Sequence, residues 1–159
     1  MNKSVLIKKV IAELGKDLEL LTKAARAAHA EATHEQSKAD NKYDTRGLEA
    51  SYLARGQARQ VAETEDAIKQ FEALPLLKFG PGEPIKLSAF VELQAKGEPV
   101  FYFVGPRSGG TEFKHGKKDV LVITPQSPLG QQLMGKKKGD RLKIDIGGSK
   151  DEYLVAEVC

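Results

Sequence analysis

The stretch SPLGQQLMGKKKGDRLKIDI, residues 127–146, contains a helix signal and a strand signal back to back. Ser127 before Pro128 is the order of an N-cap followed by a first helical residue, and Gly135 is a stop. These signals predict a short helix, roughly Pro128 to Met134. Beyond the three lysines and Gly139-Asp140, the residues LKIDI alternate apolar and polar, the period of a strand. A chain that turns from one period to the other so quickly folds as a small sheet with a helix laid against it.

Outward from this stretch the strand period continues. IKLSAFVEL, PVFYFVG and DVLVITP lie upstream and DEYLVAEV downstream, each rich in β-branched or aromatic residues and bounded by Gly, Pro, Asp or Lys. They predict an antiparallel sheet. KFGPGEP, residues 78–84, has the composition of a turn or linker. Residues 1–74 are different, with no proline and three glycines. There Ile7, Ile11, Leu14, Leu18, Leu21, Ala25, Ala28 and Ala32 recur at spacings of three and four, an amphipathic helix with a narrow seam. A second seam follows, Ser51, Ala54, Ala58, Val61, Ile68 and Phe71. The first tapers from bulky to small and the second from small to bulky, so an antiparallel hairpin pairs Ala with Ala at its tip. The expected division is a coiled-coil hairpin arm over residues 1–75 and a sheet domain over 76–159. About 35 residues per helix would make an arm of about 50 Å.

Composition excludes several classes. Aromatic residues are 6% and Trp is absent, so a large aromatic ligand pocket is not expected. A net charge of +3 gives no dense basic face for charge-driven nucleic-acid binding. Cys159 stands alone, which excludes an intrachain disulfide and a cysteine metal cluster and fits a reducing, cytoplasmic location. The N-terminal apolar run is broken by charge and matches neither a signal peptide nor a membrane span.

The order of elements, with Ser127-Pro128-Leu129 through Leu133, then Gly135-Lys136 and Gly139-Asp140 leading into LKIDI, resembles the bacterial Gre transcription elongation factors, the GreA/GreB family. The resemblance implies an α+β chain in which a long coiled-coil hairpin precedes an FKBP-like docking domain. It implies RNA polymerase as partner, with the domain at the rim of the secondary channel and the hairpin reaching toward the active centre. Docking would fall to Ser127, Pro128, Leu129 and Lys136. The tip would help the polymerase cleave backtracked RNA by holding a second Mg²⁺ shared with the polymerase carboxylates, as in two-metal hydrolysis. The factor would then act as a cofactor of the polymerase, touch nascent RNA only indirectly, and not be an enzyme itself. A few exposed carboxylates hold Mg²⁺ weakly, because the ion gives up its waters reluctantly. No metal or cofactor is therefore expected in the free protein, and a hairpin closed on itself suits a monomer.

The tip falls in KADNKYDTRGLEAS, residues 38–51, where Asp44, Asp40 and Glu49 are the candidate acids. Each also has a plain structural reading. Asp44 suits the cap of the second helix, Asp40 suits the turn beside Asn41, and Glu49 suits an exposed pair with Arg46 or Arg55. The family tip carries a pattern like D-x-x-E-N-A-E-Y. With Tyr52 aligned on its tyrosine, Thr45 and Leu48 stand at the acidic positions. This departure supports an alternative, a channel-binding regulator that inhibits or retunes the polymerase without stimulating cleavage. Arg46, Arg55 and Arg59 fit a solvated face or phosphate contacts, and Lys136, Lys137 and Lys138 a turn or a docking patch. Tyr43 and Tyr52 suit either stacking on a base or packing of the hairpin end. His29 and His34 are five apart, the wrong spacing for one helical face. A prolyl isomerase reading is disfavoured, because Phe101, Tyr102 and Phe103 alternate faces of one strand and cannot line one pocket.

Overall fold

The apolar spacing of the first thirty residues is realised as one helix, α1 (Lys3–Thr33), in the computed structural model, which describes residues 1–33, 46–146 and 148–159. Asn2 starts it, its Oδ1 accepting from the Ser4 amide at 3.2 Å, as an N-cap residue does. The second long helix is α2 (Arg46–Glu72). Contacts group residues Met1–Glu13 with Gln70–Cys159 and separate Leu14–Lys69 from them. The 1–75 and 76–159 division follows composition, whereas the contact grouping follows what each side chain packs against.

In the unit Leu14–Lys69, Leu14, Leu18, Leu21, Ala25 and Ala28 are the residues of α1 withdrawn from water, at the expected spacing. The α2 stripe needs correction. It runs Ala54, Gln57, Val61, Thr64 and Ile68, and Ala58 is exposed. Selecting for apolar residues picks Ala58, but the alternation of three and four that keeps a helix face inward falls on Gln57 and Thr64. Thr64 tolerates the position because its Oγ1 donates to the Gln60 carbonyl at 2.9 Å.

The other unit holds a six-stranded sheet: β1 (Phe90–Gln94), β2 (Val100–Val104), β3 (Glu112–His115), β4 (Lys118–Ile123), β5 (Arg141–Ile146) and β6 (Ser149–Val158), in the order β3-β4-β2-β1-β6-β5. Two expectations change here. EFKH, too short and too charged to signal a strand, is β3. It returns the chain outside the position of β4, so β4 enters the gap parallel to β2, with Phe101 opposite Val120. The sheet is thus mostly, not wholly, antiparallel. The strand expected from Ile85 begins at Phe90, because Ala89 closes a turn onto Lys86 and Ser88 takes a positive φ of 73°.

Strand alternation divides the apolar residues between two faces. Val91, Leu93, Tyr102, Val104 and Ile123 point into one core with Leu133 of the short helix α3 (Pro128–Leu133). Phe90, Phe103, Phe113, Val120 and Val122 have the opposite parity and are also buried. A sheet with one helix against it would leave that face wet. Instead Leu6, Ile7 and Val10 from the start of α1 and Phe71 from the end of α2 are buried within this same unit. Phe71 lies so close that a Cβ on Gly105 would sit 2.8 Å from its Cζ and 3.1 Å from Val122 Cγ1. Burying such a ring contributes about 2 kcal/mol.

Candidate functional site

The segment that opens with Ser127 is built as its sequence dictates. Ser127 caps α3, its Oγ accepting from the Gly130 amide at 3.1 Å and donating to the Thr124 carbonyl at 2.7 Å. Pro128 follows in the first turn, where a missing N–H costs nothing. Leu129 is half-buried against the core. Gly130 is demanded by packing, since a Cβ there would lie 1.8 Å from the Thr124 carbonyl oxygen. Gly135 and Gly139 take positive φ of 83° and 96°, the left-handed backbone that glycine adopts without strain. Between them the Lys136 carbonyl accepts from the Ile85 amide at 2.8 Å, while its side chain is exposed. Asp140 accepts from the Lys137 amide at 2.8 Å and closes the turn into β5.

These bonds make residues 127–140 a rigid frame. Ser127, Pro128 and Leu129 sit together at one end of α3, and Lys136 follows the other end in sequence. Beside Ser127, Pro128 and Leu129 is an open concavity of about 540 Å³, lined also by Gln132 and Asp145. Of the three lysines, Lys138 is held, its Nζ donating to Glu157 Oε2 at 2.8 Å. That hydrogen bond, then the charge of Glu157, pushes its pKa up. Lys136 and Lys137 remain the exposed cations of the turn.

The candidate acids are distributed differently. Asp40 and Asp44 lie outside the described residues, as do Tyr43 and His34. Glu49 falls within α2, with its side chain outside the described set, and the same holds for Arg46. Tyr52 is 59% exposed and carries the Arg55 guanidinium over its ring at 4.9 Å, while Arg59 pairs with Glu63 at 3.3 Å. Among the described residues no three His, Cys, Asp or Glu side chains are grouped to hold a metal, and no helix is long and apolar enough to cross a membrane.

Two basic groups escape sequence reading because their partners are remote. Lys9 Nζ lies 3.3 Å from His115 Nδ1, and burial, then Lys9 and Lys118, push the His115 pKa down. Lys3, at 8% exposure, donates to the Leu77 carbonyl, 74 positions away, at 2.6 Å. Periodicity within one helix carries no signal for either.

The frame around α3 coincides with a family pattern. Residues 83–159 match the description "Transcription elongation factor, GreA/GreB, C-term". The chain is also 31% identical over 128 residues to "Transcription inhibitor protein Gfh1" of Thermus aquaticus, covering 78% of this chain and 76% of that one. The chain belongs to the GreA/GreB family. A relative named "Transcription elongation factor GreA", from Maridesulfovibrio salexigens, is 31% identical over 97 residues, 59% of this chain and 56% of its own. The crystal structure of GreA factor homolog 1 (Gfh1) of Thermus thermophilus aligns over 94% of both chains at 26% identity, with a TM-score of 0.40. For a GreA/GreB member, the signature Ser127 to Asp140 is accounted for largely by architecture: a cap, a steric glycine and two left-handed turns. The exposed side chains of Lys136 and Lys137 are left over for recognition.

Proposed function

We propose that this chain regulates transcript elongation by binding RNA polymerase at the secondary channel as a monomer. It docks through the α3 frame, with the segment between α1 and α2 as its working end. The family match over residues 83–159 carries this reading, supported by the ordered turn that presents Lys136 and Lys137 beside α3. Ser127, Pro128 and Leu129 shape the docking surface and Lys136 adds charge to it.

Of the two modes of action, inhibition or retuning without cleavage is the better supported. Thr45 and Leu48 stand where the family's acidic pair belongs, and the relative named a transcription inhibitor aligns over 78% of this chain, against 59% for the one named an elongation factor. The second reading, stimulated cleavage, rests on Asp44, Asp40 and Glu49 falling within one short window. In it these acids share a Mg²⁺ with the polymerase active centre, and the protein carries none when free.

Stalled elongation complexes separate the two. Inhibition predicts slowed elongation, no gain in transcript cleavage, and competition with a cleavage-stimulating factor. Stimulated cleavage predicts shortened transcripts with the wild type and their loss in Asp44→Ala, with Asp40→Ala as the companion variant. A protein that neither binds the polymerase nor changes elongation refutes both.

A further inference from the structure

A cavity of about 430 Å³ lies within the unit formed by Met1–Glu13 and Gln70–Cys159, between the first turn of α1 and the chain that leads from α2 into the sheet. This is a size typical of small-molecule sites. Its walls include Met1, Leu76, Leu77 and Phe79, with Lys3 and Lys78 as its cations. Three of these apolar side chains are well exposed: Met1 at 57%, Leu76 at 39% and Leu77 at 44%. Large apolar groups left wet on one concave surface mark a binding site more often than scattered ones do.

The wall is held in place. The Leu77 amide donates to Ser88 Oγ at 3.0 Å, and its carbonyl accepts from Lys3 Nζ at 2.6 Å, so the exposed side chain sits on a backbone fixed at both ends. Ser88 is itself fully buried. The Lys3 ammonium also lies 4.4 Å from the centre of the Phe79 ring. Both groups that hold it, a carbonyl and an aromatic ring, are neutral. Burial pulls its pKa down to about 8, and the charge at Cys159 offsets only part of this. Of the other charged groups at the cavity, Glu157 is taken by Lys138 at 2.8 Å and Lys78 adds positive charge.

We propose that this cavity is a binding site for an apolar carboxylate, whose hydrocarbon body covers Met1, Leu76 and Leu77 and whose carboxylate pairs with Lys3. A neutral ligand of the same shape would bury the apolar wall but leave the Lys3 charge uncompensated. A cationic ligand would meet Lys3 and Lys78. The carboxylate alone gains a charge-assisted bond in surroundings drier than bulk water. The site does not depend on polymerase binding.

Calorimetric titration of the full chain with octanoate, and with octanamide as neutral twin, tests the site. Octanoate binds saturably at one site, and octanamide about tenfold or more weakly, the worth of one charge-assisted bond. Lys3→Met keeps the length of the side chain without its charge and loses the same factor, with its amide spectrum showing that the fold persists. Binding takes up protons near pH 8, because a bound carboxylate raises the Lys3 pKa, and affinity falls as pH rises through that value and the ammonium is lost. Octanoate that fails to saturate, that binds no better than octanamide, or that binds Lys3→Met equally well overturns the site. If Lys3→Met does not fold, the comparison of octanoate with octanamide and the proton uptake decide on the wild type alone.

Discussion

At the scale of single residues, the most constrained position of the family signature is its glycine rather than its cap. Ser127 satisfies one amide of α3, a bond worth about 1 kcal/mol when lost to alanine. Gly130 faces a carbonyl oxygen 1.8 Å from where a Cβ would stand, and the obstacle is backbone, which cannot swing aside. Gly130→Ala should therefore cost about 3 kcal/mol, as overpacking a fixed site does, against about 1 for Ser127→Ala. Urea midpoints of the two variants check the order, and a Gly130→Ala protein as stable as Ser127→Ala would show that the turn at Thr124 yields. Ser127 and Pro128 as cap and first residue, and Gly135 as stop, were legible in sequence because each acts on its immediate neighbours. Gly130 was not, since its obstacle lies across a turn.

At the scale of elements, the two long helices show what a periodicity argument reaches. The α1 stripe was legible because its inward residues are also its large apolar ones. On α2 the inward positions Gln57 and Thr64 are polar, so residue type misled where spacing alone would have served. Gln57 Oε1 is buried and, among the described residues, has no hydrogen-bond partner. A buried acceptor without a partner costs about 1–3 kcal/mol. Gln57→Leu should accordingly stabilise the helices by about 1 kcal/mol, read as a rise in the helical melting temperature by circular dichroism. A fall would mean that the amide makes a bond elsewhere. The same limit explains β3: four residues with a single buried side chain, Phe113, carry too little pattern to announce a strand. Its existence depends on β4 being there to pair with.

At the scale of the whole molecule, the sheet cannot be separated from the ends of the long helices without uncovering a face. Leu6, Ile7, Val10 and Phe71 are buried in the sheet's own contact unit. Together their burial is worth about 6 kcal/mol or more, comparable with the whole stability of a small domain. A fragment of residues 76–159 should therefore bind a hydrophobic dye and melt far below the full chain or without cooperativity. An equally sharp and high transition in the fragment would show that the face carrying Phe103, Phe113 and Val122 tolerates water. The candidate site divides in the same way. Residues 127–140 could be placed from the sequence as a cap, a stop and a turn. That most of them serve architecture, and that Lys138 is tied to Glu157 while Lys136 and Lys137 stay exposed, required the fold.

By itself the sequence determined the two periods, the short helix at Pro128, the turn glycines and the family, because each is a local pattern or a contiguous match. Tertiary structure decided the parallel β2–β4 pair, the second buried face, the seating of Lys9 on His115 and the cavity at Lys3. All of these join residues distant in the chain. Their energies come from burial and from charges brought close together, and neither quantity exists until the chain has folded back on itself.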